Sequence, residues 1–437
     1  MFKTYLKLLK DIVALPSVSA DSRRTSDTQK TATYLEQLLA KNGFKVTLLT
    51  DPRCNPVVVA KYNAGKSTTT LVYGHYDVQP AEISQGWKTG PFELTESGGR
   101  LYGRGSVDNK GQVLIHVVSI LELIKQGRLA KNVTFLIEGN EETGNDALAD
   151  LIKQNQLLLA CDEIIISDGE MRAGRPTLEA TLRGGYNARV QIKTGINDLH
   201  SGLAGGAVPS ASNTLVKLLA ALTDEQGKVL IKGFYDGVAK IDPKVETTNA
   251  QLARGINPDH DFGVKQLLSA DSTDFYTQIG LYPTLQITGI NTGYTGEGFA
   301  NIVPAVAEAR LNIRTVVGQD PLKSAERLKQ CLAKNTPGYA ELKVEVVAAH
   351  PAISLDTNSA AAKKAIKALE EIYAKPIVLS YVGGAVPVVS DFQAILGIDS
   401  LMIPLGNEDC NMHGANENFR IDLIKKGLEF SYKWFSQ

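Results

Sequence analysis

An alternation of short apolar segments with amphipathic helices constrains the fold of this chain more than any other feature. It runs from the start of the chain to about Arg183, stops, and returns from about Ser354. The segments that read as buried strands in its first part are Lys45–Thr50, Val57–Tyr62, Thr69–Tyr73, Asn132–Glu138 and Glu163–Ser167. Strands that alternate with helices pack as layers, so the pattern predicts a three-layer αβα fold, of α/β class, with a central mixed sheet.

Between these two parts the pattern changes to that of strands with one exposed face, as in Tyr186–Thr194. Further strands of this kind and two helices predict a small α+β domain of ferredoxin-like type. Residues from about 225 to 275 form a polar, less regular stretch. A chain of 437 residues is long enough for two cores. We therefore expect one domain of residues 1–183 and 351–437, with a second of residues 184–350 inserted into it.

Charge, hydropathy and cysteine usage exclude several classes of protein. The net charge of −1 lacks the basic excess that nucleic-acid binding normally requires. No apolar run reaches the roughly 20 residues that span a bilayer. The 4 cysteines lie far apart, which is typical of a reducing compartment rather than of a disulfide scaffold. We expect a cytoplasmic protein with no nucleic-acid or membrane partner.

Residues with metal-binding side chains follow three of the predicted strands. His75, the pair Glu141 and Glu142, and Asp168 each come just beyond the end of a strand. In such sheets the functional residues gather at the carboxyl ends of the strands, so we expect these side chains to meet at one edge. Imidazole nitrogen and carboxylate oxygen are the ligands that zinc takes where thiolates are absent. The edge is therefore a candidate metal site.

Three further residues extend this set. Asp77 lies two residues after His75, Asp108 stands in Gly-Arg-Gly-Ser-Val-Asp-Asn-Lys-Gly, and His413 in Asn-Met-His-Gly-Ala-Asn-Glu. Two imidazoles and several carboxylates are what a pair of zinc ions needs. Asp77 is expected to accept the other ring N–H of His75 and to fix its tautomer. Of the two adjacent glutamates, one is expected to bind metal and the other to carry protons. The sequence predicts a metallohydrolase.

The order of these motifs resembles that of the dinuclear zinc exopeptidases and deacylases, the family of acetylornithine deacetylase, succinyl-diaminopimelate desuccinylase, glutamate carboxypeptidase and carnosine dipeptidase. The resemblance covers nearly the whole chain and is closest to the dipeptidase branch. It implies two zinc ions per subunit, one of them bound by His75 and Asp168. Glu142 and His413 would bind the other, with Asp108 bridging the two. Cobalt and manganese suit similar ligands.

The same resemblance implies the catalytic roles. Glu141 would be the general base, taking a proton from the attacking water and delivering it to the leaving amine, while Asp77 orients His75. A cis peptide bond is implied between Asp108 and Asn109. The metal ions would lower the pKa of the water and polarise the scissile carbonyl.

Further residues resemble substrate-binding positions of the family. His200, in His-Ser-Gly-Leu-Ala-Gly-Gly, matches a histidine that stabilises the oxyanion from a partner subunit, which implies a homodimer through the inserted lid domain. Asn301, in Asn-Ile-Val-Pro, and Arg314 match residues near the substrate, and a guanidinium suits its carboxylate. Gly384 lies in a loop that contacts substrate, but Ala385 stands where the dipeptidases often carry a hydroxyl.

These observations favour an exopeptidase that hydrolyses dipeptides or short peptides with a free C-terminal carboxylate. An N-acyl-amino-acid deacylase, acting on acetyl or succinyl amino acids, would use the same metal and base residues and is the alternative. A catalytically inactive peptide-binding protein is a third reading, which the complete set of ligands and Glu141 disfavours. A thiolate ligand from Cys410 is also conceivable from its spacing to His413, but the family gives no such role.

Overall fold

The structure is a computed structural model that describes residues 1–268, 273–384 and 386–437. Backbone contacts divide it into two compact units, each described here by itself. The first consists of Met1–Ala180, Leu355–Ser380 and Pro387–Gln437, and the second of Thr181–Ser354 and Tyr381–Val386. The predicted inserted domain falls within the range Thr181–Ser354, and its roles as a lid and in dimerisation stay predictions.

The strands and helices of the described residues are numbered in chain order. The strands are β1 Lys45–Asp51, β2 Cys54–Tyr62, β3 Thr69–His75, β4 Thr95–Ser97, β5 Arg100–Tyr102, β6 Asn132–Glu138, β7 Glu163–Ile166, β8 Thr177–Leu182, β9 Gly184–Lys193, β10 Leu199–His200, β11 Thr284–Thr292, β12 Ile302–Val303, β13 Val306–Thr315, β14 Glu341–His350, β15 Ile353–Ser354, β16 Val378–Val382, β17 Ser400–Met402 and β18 Asn418–Arg420.

The helices follow the same order. They are α1 Phe2–Val13, α2 Thr25–Lys41, α3 Lys110–Lys125, α4 Leu148–Gln154, α5 Gln156–Leu159, α6 Ser201–Ala204, α7 Ala211–Ala220, α8 Pro243–Ala253, α9 Pro258–Phe262, α10 Phe275–Leu281, α11 Pro321–Asn335, α12 Ala360–Tyr373, α13 Pro387–Asp391 and α14 Ile421–Phe435. Within the part of the chain that the structure describes, none of these helices has the length and apolar character needed to cross a membrane.

The first unit is built on a six-stranded mixed sheet in the order β1-β2-β6-β3-β7-β17. Strands β6, β3, β7 and β17 run parallel, while β2 is antiparallel to β6 and to β1. Helices cover both faces, which explains why β7 contains the apolar run Ile-Ile-Ile after Glu163, with every isoleucine buried. On β3, Val72 packs in the cluster with α1 and α3, whereas the ring of Tyr73 lies 5.8 Å from that of Phe392. The predicted α/β fold with a central mixed sheet is confirmed.

The second unit contains an antiparallel sheet in the order β11-β13-β9-β14, with α7 and α11 packed against it. On β9, Tyr186, Ala188, Val190 and Ile192 are buried and the residues between them are more exposed, apart from the glycines at its start, as the predicted alternation requires.

The stretch of residues 225–275, interpreted as less regular and assigned no helix, contains the helices α8 and α9. Each of these helices begins with a capping residue followed by proline: Asp242 accepts a hydrogen bond from the backbone of Lys244, and Asn257 accepts one from Asp259. Both helices bury few side chains and therefore lack the apolar stripe by which a helix is recognised in a sequence.

A three-stranded sheet in the order β18-β5-β4 was not predicted. Its strands have 3 residues each, which is too short for an alternating pattern to be recognised. The pairing of β18 with β5 brings the segment that follows His413 beside the segment that leads to Asp108. This small sheet therefore connects two parts of the candidate site.

Candidate metal centre

The carboxyl ends of the parallel strands deliver the predicted site residues to one edge of the first unit's sheet. His75 is the last residue of β3, and Asp168 lies two residues beyond β7. Glu141 and Glu142 begin a single 3₁₀ turn, Glu141–Thr143, that follows β6. Neighbouring parallel strands end side by side, so residues from three separate segments meet here.

His75 is buried and presents one ring nitrogen to two carboxylates. Its Nε2 lies 3.1 Å from Asp108 Oδ1 and 3.5 Å from Asp168 Oδ2. Among the described residues this nitrogen has no hydrogen-bond partner. The opposite nitrogen, Nδ1, lies 3.1 Å from the backbone oxygen of Asp77 and 3.3 Å from its carboxylate. Donation of Nδ1–H to Asp77 leaves the Nε2 lone pair facing the carboxylates, which is the arrangement of a metal-binding imidazole.

A second group of ligand atoms shares Asp108 with the first. His413 Nε2 lies 2.9 Å from Asp108 Oδ2 and 3.2 Å from Glu142 Oε2. Asp108 thus offers Oδ1 to the group with His75 and Oδ2 to the group with His413. Within each group the ligand atoms lie within 4.8 Å of one another. These two groups contain the ligands that the resemblance implies for two ions, and the peptide bond from Asp108 to Asn109 is cis, as expected.

The charged forms of this cluster stabilise one another. Burial opposes ionisation of Asp108, but its bonds with His413 and His75 outweigh burial and lower its pKa. Burial likewise opposes protonation of His75, but the neighbouring carboxylates of Asp108, Asp168 and Asp77 raise its pKa. Bonds with Asp108 and Glu142 raise the pKa of His413 to about 10. The carboxylates of Asp108, Asp168 and Glu142 thus concentrate negative charge at this edge, which favours cations.

Glu141 belongs to neither ligand group. Its side chain is half-buried, and this desolvation raises its pKa above the usual value for glutamic acid. The Asp77 carboxylate accepts the backbone N–H groups of Glu141 and Glu142, each at 3.2 Å. Asp77 therefore holds the turn that carries both glutamates, besides contacting His75, a function that the sequence analysis did not anticipate.

Two more polar residues contact this cluster and were missed from the sequence. Ser19 donates its hydroxyl to the Asp77 carboxylate at 2.7 Å, and Gln79 donates to Glu142 Oε2 at 2.8 Å. Serine and glutamine are too common for either position to be recognised without the contact itself. Cys410, in contrast, donates its thiol to Glu170 at 3.0 Å and is in neither ligand group.

His200 and Asn301, both in the second unit, lie close together. β10 pairs with β12, and the backbone N–H of Ser201 donates to the Asn301 carbonyl at 2.8 Å. The His200 side chain is exposed, and its Nδ1 accepts the N–H of Gly202 at 3.0 Å. In the neutral imidazole the proton is therefore on Nε2, which makes that atom a hydrogen-bond donor.

Arg314 and Gly384 are also in the second unit. Arg314 is half-buried on β13, and burial lowers its pKa. No hydrogen bond or ion pair of its guanidinium group is found among the described residues. Burial, and then the charge of Arg314, lower the pKa of Arg183 to about 10. Arg183 donates to the carbonyl of Gly383 at 2.9 Å, next to the exposed Gly384. The positive charges of Arg183 and Arg314 thus lie near this loop. Ala385 is outside the described residues.

Two groups of imidazole and carboxylate side chains at the carboxyl edge of an α/β sheet are an arrangement typical of metal-dependent hydrolases. Residues 71–437 match the sequence profile of Peptidase family M20/M25/M40, and the chain belongs to that family. The predicted enzyme class, a metallopeptidase of the dipeptidase branch, is confirmed.

Several relatives resemble the chain over most of its length. The Cys-Gly metallodipeptidase DUG1 of Candida albicans is 30% identical over 97% of this chain and 92% of that protein. The Beta-Ala-His dipeptidase of Rattus norvegicus is 31% identical over 83% of this chain and 75% of that protein. Among solved structures, the M20 family metallo-carboxypeptidase Sso-CP2 from Sulfolobus solfataricus is 30% identical, covers 99% of this chain and 98% of its own, and has a TM-score of 0.88.

Proposed function

We propose that this protein is a zinc-dependent dipeptidase that cleaves dipeptides, or short peptides with a free C-terminal carboxylate. The observation that carries the proposal is the pair of ligand groups that share Asp108, with Glu141 beside them and in neither. Two relatives are named for dipeptide substrates, Cys-Gly and β-Ala-His, which supports a dipeptidase over a deacylase.

The donor set fits two ions of the zinc type. His75 Nε2 is a buried nitrogen without a hydrogen-bond partner among the described residues, and such an atom is costly unless it binds something. In the proposed assignment His75 and Asp168 hold one ion, and Glu142 and His413 the other. Asp108, which is in both groups, would be shared by the two ions. When bound, the ions lower the pKa of the attacking water and polarise the scissile carbonyl.

The side chains around the ligands divide the remaining work. Glu141 accepts the proton of the attacking water and returns it to the leaving amine, a role suited to a half-buried carboxylate with a raised pKa. Asp77 keeps Glu141 in place through its backbone N–H. His200 is proposed to donate Nε2–H to the oxyanion in the site of a partner subunit, in a homodimer formed through the second unit. The cytoplasmic location stays a prediction.

Arg314 is proposed to bind the substrate carboxylate. Its guanidinium group is half-buried and has no partner among the described residues, so it can form a bidentate pair without first breaking another. Arg183, whose pKa is lowered by burial and by Arg314, adds a second positive charge nearby. Asn301 and Gly384 are proposed to contact the substrate through polar groups of the side chain and the backbone.

Replacing Arg314 with alanine is expected to raise KM about 10- to 100-fold for dipeptides, because a hydrogen-bonded charge pair contributes about 1.5–3 kcal/mol. Dipeptide amides, which lack the carboxylate, should show little change. Arg310→Ala is the matched control, since Arg310 is on the same strand and its side chain is 68% exposed. An equal rise in KM for dipeptides and their amides would contradict the assignment.

The function itself is tested by hydrolysis of a panel of dipeptides and of N-acetyl and N-succinyl amino acids, with zinc-loaded and with chelated protein. Zinc-dependent release of amino acids from dipeptides is the expected result. Cleavage of the acylated amino acids alone would make the protein a deacylase. Binding of dipeptides without cleavage of either class would favour the inactive, peptide-binding alternative.

A further inference from the structure

Glu417 is a buried carboxylate outside both ligand groups, and it is bound on every side by donors from one segment. Its Oε1 accepts the backbone N–H of Val107 at 2.8 Å and that of Asp108 at 3.1 Å. Its Oε2 accepts the N–H of Gly105 at 2.9 Å and Nη1 of Arg104 at 2.8 Å. Glu417 thus holds the segment that ends in Asp108, the residue common to both ligand groups.

Arg104 makes the reciprocal contacts from that segment to the one that carries His413. Its Nη2 donates to the carbonyl of His413 at 3.0 Å and to that of Gly414 at 3.2 Å. The guanidinium group is buried and lies 5.4 Å from the centre of the Trp87 ring. Each segment therefore supplies one charged side chain that binds the backbone of the other, and the two side chains form an ion pair.

His413 needs this support more than the other ligands do. Its side chain is 54% exposed, so packing does not hold it in place. Its backbone has a φ of 62°, in the left-handed region, as have those of Asn411 and Asn416 in the same loop. Such backbone conformations are costly for residues other than glycine and persist only where surrounding contacts impose them. The bonds from Arg104 to the carbonyls of His413 and Gly414 are contacts of this kind.

We propose that Glu417 and Arg104 form a clamp that sets the separation of Asp108 and His413, and so determines the affinity of the ligand group that contains both. The inference rests on the proposed metal ligands. Glu417 is a positioning residue in this proposal, since its carboxylate contacts the backbone of Asp108 and none of the ligand atoms. Glutamine at this position keeps the volume, but it turns an amide N–H₂ towards two of the four donors.

Glu417→Gln is expected to weaken binding of one zinc ion, the one assigned to Asp108, Glu142 and His413, about 10- to 100-fold, as loss of residues that orient metal ligands typically does. The measurement is competition with a chromogenic chelator, which reports each ion without reference to activity. Excess zinc should restore most of kcat with KM unchanged, because the clamp does not touch the substrate. Circular dichroism and the Tm of the metal-free protein establish that the variant folds.

Asp409→Asn is the matched control. Asp409 also joins these two segments, through Arg100, but it is 61% exposed and binds no backbone group of the Asp108 segment. The Asp409→Asn variant should bind zinc with an affinity within about twofold of that of the unaltered protein. If Glu417→Gln does not fold, Arg104→Lys, which keeps the charge opposite Glu417 but loses the planar fork, should show the same weakening.

The experiment distinguishes failure of the proposed clamp from failure of the proposed metal assignment. The clamp would be overturned if the unaltered protein binds two ions tightly and folded Glu417→Gln or Arg104→Lys binds them with unchanged affinity. That result would leave the proposed function in place. Equal weakening in Asp409→Asn would also overturn it, since any link between the segments would then suffice. An unaltered protein that binds no zinc would instead refute the metal assignment itself.

Discussion

Glu141→Gln is expected to lower kcat about 10²- to 10⁴-fold, while the protein still binds two metal ions. The amide has the shape of the carboxylate but cannot accept a proton, so the attacking water loses its base. Because Glu141 is in neither ligand group, its replacement leaves every proposed ligand in place. The measurement is kcat on the best dipeptide together with metal content by atomic absorption.

Glu142→Gln provides the comparison, since it alters the adjacent residue of the same turn. Glu142 Oε2 lies 3.2 Å from His413 Nε2, within the second ligand group, so this variant should lose metal affinity and regain activity in excess zinc. If the kcat of Glu141→Gln equals that of the unaltered protein, Glu141 is not the base.

Asp108→Ala is expected to abolish tight binding of both ions. Asp108 is the one residue present in both ligand groups of the described residues, with Oδ1 at 3.1 Å from His75 Nε2 and Oδ2 at 2.9 Å from His413 Nε2. Loss of a residue that only orients a ligand costs about 10- to 100-fold in affinity, and loss of a shared ligand should exceed 100-fold. Zinc titration with a chelator measures this effect.

Asp168→Ala tests the difference between a residue that is in both ligand groups and a residue that is in only one. Asp168 belongs only to the group with His75, so this variant should lose one ion and retain the other. If Asp108→Ala also retained one ion at its original affinity, Asp108 would not bridge. Loss of both ions in Asp168→Ala would mean that the two ions bind only together.

The central strands of the first unit's six-stranded sheet were predictable because burial on both faces leaves a direct trace in sequence. β6 occupies the predicted residues Asn132–Glu138, and β7 is a run of isoleucines between polar residues. Helices α8 and α9 left no such trace, because each begins at a cap and proline but buries little apolar surface. A cap residue followed by proline is a weak signal for a helix when the residues after it are mostly polar.

The chemistry of the metal centre was also readable from sequence, since side-chain type decides what a residue can ligate. The assignment of residues to one ion or the other came from the family resemblance, not from spacing. The tertiary structure adds that Asp108 presents a different oxygen to each histidine. It also shows that Asp77 binds the backbone of the turn carrying Glu141.

The sequence by itself determined the layered α/β fold, the inserted strand pattern and the identity of the candidate ligands, because periodicity and side-chain chemistry are local properties. Only the tertiary structure could decide how the ligands are held. Arg104 and Glu417 are 313 residues apart in the chain, and the bond between them depends on how β5 and β18 pair. No local pattern encodes such a contact, because its energy depends on burial and on partners that only the folded chain brings together.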